Sequence, residues 1–174
     1  MAFEENLTYT MALEVFLQSA VVRGVLVTNQ DRLSNYLILR DGEEVFSLRD
    51  ATLENLERKT IVAGSDQYLI YMQEVFLIAD LSSQLRQDRP GLESLYVKKD
   101  SSRALFSVGA YWLQGNIHLV PGGALHELLM TKTKFIPVTD AVLLNRPDLG
   151  PRTYLVNRTK IGFMTASGEH LVEL

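Results

Sequence analysis

The sequence predicts a mainly β protein, a β-rich α+β chain built by internal duplication. The repeated unit is a small, strongly bent sheet or partly closed barrel, each copy with one short helix. Three collinear matches predict this. Lys134-Phe-Ile-Pro-Val-Thr-Asp-Ala-Val-Leu143 restates Val45-Phe-Ser-Leu-Arg-Asp-Ala-Thr-Leu53, with Asp50 and Asp140 separated by 90 residues and the same Asp-Ala-x-Leu ending. Gly24 and Gly115 stand at equivalent places 91 residues apart, and residues 68–78 match 154–164 at a spacing of 86. The small drift in spacing places insertions in loops. The expected boundaries are a first β-rich repeat over 1–81, a linker over 82–102 and a second repeat over 103–174.

Residues 11–28 read as one long strand or a strand pair. Leu13, Val15 and Leu17 alternate with Ala12, Glu14 and Phe16, and Val22, Leu26 and Thr28 share a face with Gly24. The counterpart is 105–119, where Leu113, Gly115, Ile117 and Leu119 repeat the second part. A glycine within a strand marks a bulge or a sharp bend, as at a barrel corner.

A helix of about two turns follows in each copy. Leu33, Tyr36 and Leu37 stand at i, i+3 and i+4, and so do Leu125, Leu128 and Leu129. Asn29 or Asp31 is the expected cap of the first. The second follows Val120-Pro-Gly-Gly123. Segments this short must pack on a sheet to persist.

Asp41-Gly42 signals a turn, and 43–53 reads as the next strand. Its partner, 134–144, contains Pro137, which predicts a strand edge or a bulge. Residues 68–78 and 154–164 each read as two β segments around a polar centre, Gln73-Glu74 or Arg158-Thr159-Lys160. Residues 82–102 lack alternation and are broken by Pro90-Gly91, so a linker with one helical turn near Gln84 is expected.

Composition bounds the function. The chain of 174 residues is 47% hydrophobic and 22% charged, an ordinary globular balance that excludes disorder. No apolar run approaches the roughly eighteen residues of a bilayer span, and the acidic start has no signal-type apolar core. A cytoplasmic location is expected, with the Asn6 and Asn157 sequons as chance matches. Without cysteine there is no disulfide, thiol nucleophile or Cys-type zinc site. The net charge of −4 argues against general nucleic-acid binding. Its distribution is uneven. Residues 1–81 hold 13 acids and 6 bases, a net of −7, and 103–174 hold 5 acids and 7 bases, a net of +2.

The candidate chemistries are few. Asp50 and Asp140 could meet across a pseudo-twofold axis and share a proton, as in a hydrolase with a symmetric Asp pair. Each is followed by alanine, not by the Thr/Ser-Gly of duplicated aspartic proteases, and a hydrogen-bonded turn role at a strand end is expected instead. Gly24, Gly115, Asp50 and Asp140 are therefore read as repeat-equivalent structural positions. His118 and His126 could converge beside Glu127, but no metal-ligand spacing is present and His170 stands apart, so no metal site is expected. Gly122-Gly123 could hold an anion on free N–H groups, yet no phosphate-loop pattern accompanies it. No serine elbow occurs, and no catalytic residue or cofactor is implied. Arg152, Arg158 and Lys160 with Tyr154 form the nearest thing to a basic patch with an aromatic; charges guarding a strand edge explain them equally well. Of Tyr111 and Trp112, adjacent on one strand, one is expected in the core and the other outside.

Arg32-Leu-Ser-Asn-Tyr-Leu37 and Phe135-Ile-Pro-Val-Thr-Asp-Ala141 resemble paired helix and strand segments of an uncharacterised bacterial family, a resemblance that implies no activity. Leu13-x-Val15-x-Leu17, Gly24-x-Leu26 and Asp31-x-x-x-Asn35 are similar to the first motif of Sm-like small β-barrels, and 68–78 and 154–164 to the second. That resemblance implies a barrel fold and RNA bases read by Asp31, Asn35 and Arg158. The chain departs from the motif at Met72-Gln73 and at Thr159, where Arg-Gly would stand, and Gly123 and Glu127 replace the Asp and Asn in the second copy.

The leading expectation is a non-enzymatic protein-interaction or assembly module with a protein partner or self-association, acting through exposed β edges and the groove between copies. An Sm-like RNA binder is the alternative.

Overall fold

A computed structural model describes residues 8–82 and 100–166. The first half forms β1 (Tyr9–Phe16), β2 (Ala20–Thr28), helix α1 (Leu33–Leu39), β3 (Val45–Asn55), β4 (Thr60–Tyr71) and β5 (Leu77–Asp80). The second forms β6 (Asp100–Val108), β7 (Tyr111–Leu119), β8 (Phe135–Leu143), β9 (Arg152–Asn157) and β10 (Ile161–Ala166). All ten strands belong to one antiparallel sheet in the order β10-β6-β7-β8-β9-β5-β1-β2-β3-β4. The protein is mainly β, as expected. No barrel closes, because β9 pairs with β5 and the sheet runs on through the middle of the molecule with β4 and β10 at its ends.

The two halves follow the same order, β5-β1-β2-β3-β4 and β10-β6-β7-β8-β9. Their irregularities fall at matching places. The register of β2 on β3 shifts between Arg23 and Val25, and that of β7 on β8 between Gln114 and Asn116. Asp50 and Asp140, each in the facing strand at that shift, both have φ 47°. Asp tolerates this left-handed backbone better than most residues. The expected turn at a strand end is therefore a bulge within a strand.

Other differences have physical causes. The cap of α1 is Arg32, with extended backbone and no side-chain capping bond, not Asn29 or Asp31. Burial of Leu33, Tyr36 and Leu37 anchors this seven-residue helix. The second expected helix, with Leu125, Leu128 and Leu129, is a 3₁₀ turn over Leu125–Met130 that fully buries none of its side chains, Leu125 and Leu128 lying half-buried against the second core. Pro137 lies in β8, an interior strand, but the β7 register reaches only to Thr139, so the proline sits where β8 is paired with β9 alone. β6 starts at Asp100, inside the expected linker, and the helical turn foreseen near Gln84 lies outside the described residues.

Two apolar cores lie on either side of the β5–β9 seam, and the halves exchange residues across it. Phe16, Val21, Leu77 and Ala79 of the first half belong to the second core, with Tyr111, Leu113 and Tyr154. Leu155 and Phe135 of the second half belong to the first, with Leu13, Leu48 and Ile78. No helix among the described residues is long and apolar enough to cross a membrane.

Candidate interaction surfaces

The seam shows what a sheet edge of this protein does when it is occupied. Leu77, Ile78 and Ala79 face Val156, Leu155 and Tyr154. Asn157 follows on, fully buried: its Nδ2 donates to the Val75 carbonyl at 2.7 Å, and its Oδ1 accepts from the Thr159 N–H at 3.1 Å and hydroxyl at 2.8 Å. The Tyr111 hydroxyl donates to the Leu17 carbonyl, and the Tyr111 ring meets that of Phe16 edge-on at 5.5 Å.

Charge also crosses the seam. Glu14 on β1 and Glu54 on β3 are both buried. Arg23 Nε donates to Glu14 at 2.6 Å and its Nη1 to Glu54. Arg152 and Arg146 complete the set from the second half, Arg152 on Glu14 and Arg146 on Glu54 at 3.5 Å and on Asp148 at 3.0 Å. Arg23, hydrogen-bonded to Glu54, holds that carboxyl below its ordinary value of 4.5 against the opposing effect of burial. Buried carboxylates are tolerated only when paired in this way.

The two ends of the sheet have no strand partner on their outer sides among the described residues. β4 exposes Ile61, Val62, Leu69 and Tyr71. At the other end Phe163 of β10 stacks edge-on against Trp112 of β7, ring centroids 5.4 Å apart, and both remain largely exposed. Tyr111 is the core member of that adjacent pair and Trp112 the outer one. Unpaired apolar edge strands are templates for pairing with another chain. Beside the end of β4 lies a cleft of about 580 Å³, lined by Arg40, Glu43, Tyr71, Gln73, Lys134 and Phe135 among others, where the halves meet.

The residues singled out from the sequence are scattered. Asp50 on β3 and Asp140 on β8 are separated by β9, β5, β1 and β2 in the sheet order, and Asp140 accepts from Asn116 Nδ2 at 3.3 Å. Asp31 accepts from Asn35 Nδ2 at 3.3 Å. Arg158, in the other half, donates to the Thr133 carbonyl at 3.2 Å and the Leu129 carbonyl at 2.8 Å, so it shapes its own loop. Arg152 is taken up by Glu14, Lys160 lies over the Phe76 ring at 5.1 Å, and Tyr154 is buried, so these side chains form no open basic patch. His118 Nε2 is 2.8 Å from the Thr139 hydroxyl, and His126 is exposed on the 3₁₀ turn. The Gly123 N–H is bonded to the Val120 carbonyl at 2.8 Å, which spends one of the donors foreseen for an anion. Among the described residues no three His, Asp or Glu side chains cluster as a metal site, and His170 lies outside them.

Sequence reading missed the buried role of Glu14 and Glu54 and the first part of β4. Thr60-Ile-Val-Ala offered the β-branched signal for that strand, while alternation put Glu14 opposite Leu13 and Val15 without marking that face as buried. The chain matches no protein-family model, no curated protein and no solved structure.

Proposed function

We propose that this chain is a non-enzymatic assembly module, made from a duplicated β unit, that engages protein through the outer edges of β4 and β10. The carrying observation is that β4 and β10, at opposite ends of one open sheet, have no outer strand partner among the described residues and expose apolar side chains, Ile61, Val62, Leu69 and Tyr71 on β4 and Phe163 on β10. The cleft beside Tyr71 gives a partner side chains to grip where β4 ends. Edge pairing supplies affinity through the main chain, and the flanking side chains supply selectivity.

Light scattering across concentration and salt, joined to capture from lysate, tests this reading. The comparison is with a chain carrying both Leu69→Lys and Phe163→Lys, since edge lysines oppose strand addition. The wild type is expected to gain mass or to retain proteins that the double variant loses. A wild type that stays monomeric and captures nothing beyond what the variant captures contradicts it.

A further inference from the structure

The two halves, compared position by position, suggest an occupant for the outer edges of β4 and β10, which have no strand partner among the described residues; the inference rests on the edge-mediated reading above. In the pairing of β1 with β5, Phe16 faces Leu77 and Val15 faces Ile78; in that of β6 with β10, Ser107 faces Phe163 and Phe106 faces Met164. Phe163 thus stands where Leu77 stands, and Trp112, 91 residues after Val21, stands where Val21 stands. Leu77 and Val21 are 0% exposed, inserted in the core of the other half, whereas Phe163 and Trp112 are 43% and 44% exposed.

The β4 edge tells the same story from the other side. Leu155 of β9 fills the first core at 5% exposure, while Leu69, its equivalent on β4, is 66% exposed. Each side of the seam therefore has an unburied counterpart at the opposite end of the molecule. These counterparts are complementary: one end offers the features of β5, the other those of β9.

We propose that the outer edge of β10 pairs antiparallel with the outer edge of β4 of a second copy of this chain, in the register of β5 on β9. Phe163 then faces Ile70, Met164 faces Leu69 and Thr165 faces Tyr68 of the next copy. Trp112 and Phe163 enter the first core of that copy as Val21 and Leu77 enter the second. The positions equivalent to Glu14, Arg23 and Glu54 are Leu105, Gln114 and Leu144, and Asp66 stands where Arg152 stands, so this joint lacks the ion pairs of the internal one. The net charges of −7 over 1–81 and +2 over 103–174 favour head-to-tail approach over like ends meeting. Because the contact is heterologous, it propagates until rotation closes a ring or a filament grows.

Mixing two singly blocked chains tests the joint. Leu69→Lys blocks the β4 edge and Phe163→Lys the β10 edge. Each variant alone is expected to remain at the mass of one chain, 19.6 kDa, and an equimolar mixture to double that mass, because one intact joint remains. Wild type is expected at higher multiples. The chain has no cysteine, so Leu69→Cys mixed with Met164→Cys gives a second readout that tolerates a failed lysine variant: oxidation is expected to link the two, and Ile61→Cys with Met164→Cys not to. Self-association of either lysine variant alone, or absence of the specific cross-link, overturns the head-to-tail joint. If the chain proves monomeric yet captures other proteins through its edges, this joint falls and the broader reading stands. A monomer that captures nothing removes both.

Discussion

At Gly24 and Gly115 the absence of a side chain is what lets the facing strand come close. A Cβ on Gly24 would lie 2.8 Å from the Ala51 Cβ and 2.9 Å from the Arg49 carbonyl; one on Gly115 would lie 2.5 Å from the Ala141 Cβ and 2.7 Å from Val138 Cγ1. This explains why each aspartate at the bulge is followed by alanine. Gly115→Ala is expected to lower stability by about 1–3 kcal/mol, the range for overpacking, measured by denaturant unfolding. A wild-type midpoint would contradict the close approach. Asp140→Gly is expected to be tolerated, and Asp140→Val to be strongly destabilising because a β-branched residue resists a positive φ.

The Tyr154 hydroxyl is buried without a hydrogen-bond partner among the described residues. Burial raises its pKa from 10.0 to about 12. With the folded-state value above the unfolded one, this group costs no stability through ionisation below pH 10, and stability is lost as the pH climbs from 10 through 12. Tyr154→Phe is expected to leave stability at pH 7 unchanged or slightly higher and to make the alkaline decline shallower. A clear loss at pH 7 would show that the hydroxyl has a role in holding the fold. The Gly and Asp-Ala correspondences and an irregularity at each glycine were legible in the sequence, but the left-handed backbone of Asp50 and Asp140 was not, since alternation reports which face a residue takes and not the sign of φ.

At the scale of elements, the β5–β9 seam combines apolar exchange with paired charge. Removing Arg23 would leave Glu14 and Glu54 with only the arginines of the second half. Arg23→Met is expected to destabilise by roughly 3 kcal/mol, within the range for breaking a buried pair. Since the pKa of Glu54 is depressed, its contribution is present above pH 4.5 and declines as the pH falls through its folded-state value. An acid limb that is missing in Glu54→Gln and present in the wild type is the expected signature in thermal melts. Asn157→Ala is expected to cost about 1–3 kcal/mol by orphaning the Val75 carbonyl.

The strand pairs and α1 were legible because their apolar residues keep periods of two and 3.6. The seam was not, because a strand buried on both faces loses its alternation: Leu13 and Val15 enter one core, Phe16 enters the other, and Glu14 between them is buried by ion pairing. The second helix failed for a different reason. Its leucines have helical spacing, but Leu125 and Leu128 pack against the second core only partly buried, and a segment that short does not hold an α-helix without deeper burial.

At the scale of the whole molecule, ten strands lie in one open sheet, and its ends differ in kind: one resembles the seam's β9 side and the other its β5 side. Sequence periodicity placed most of the strands in order along the chain. It could not reveal which edges would be used internally, because that choice depends on partners such as Arg152 and Glu14, 138 residues apart. The most direct measurement is backbone hydrogen exchange along β4 as concentration rises. The alternate amides on the outer side of residues 68–71 are expected to gain protection until they match the corresponding amides of 154–157, which the seam already covers. Amides of β4 that exchange freely at every concentration, while those of β9 stay protected, would contradict the account.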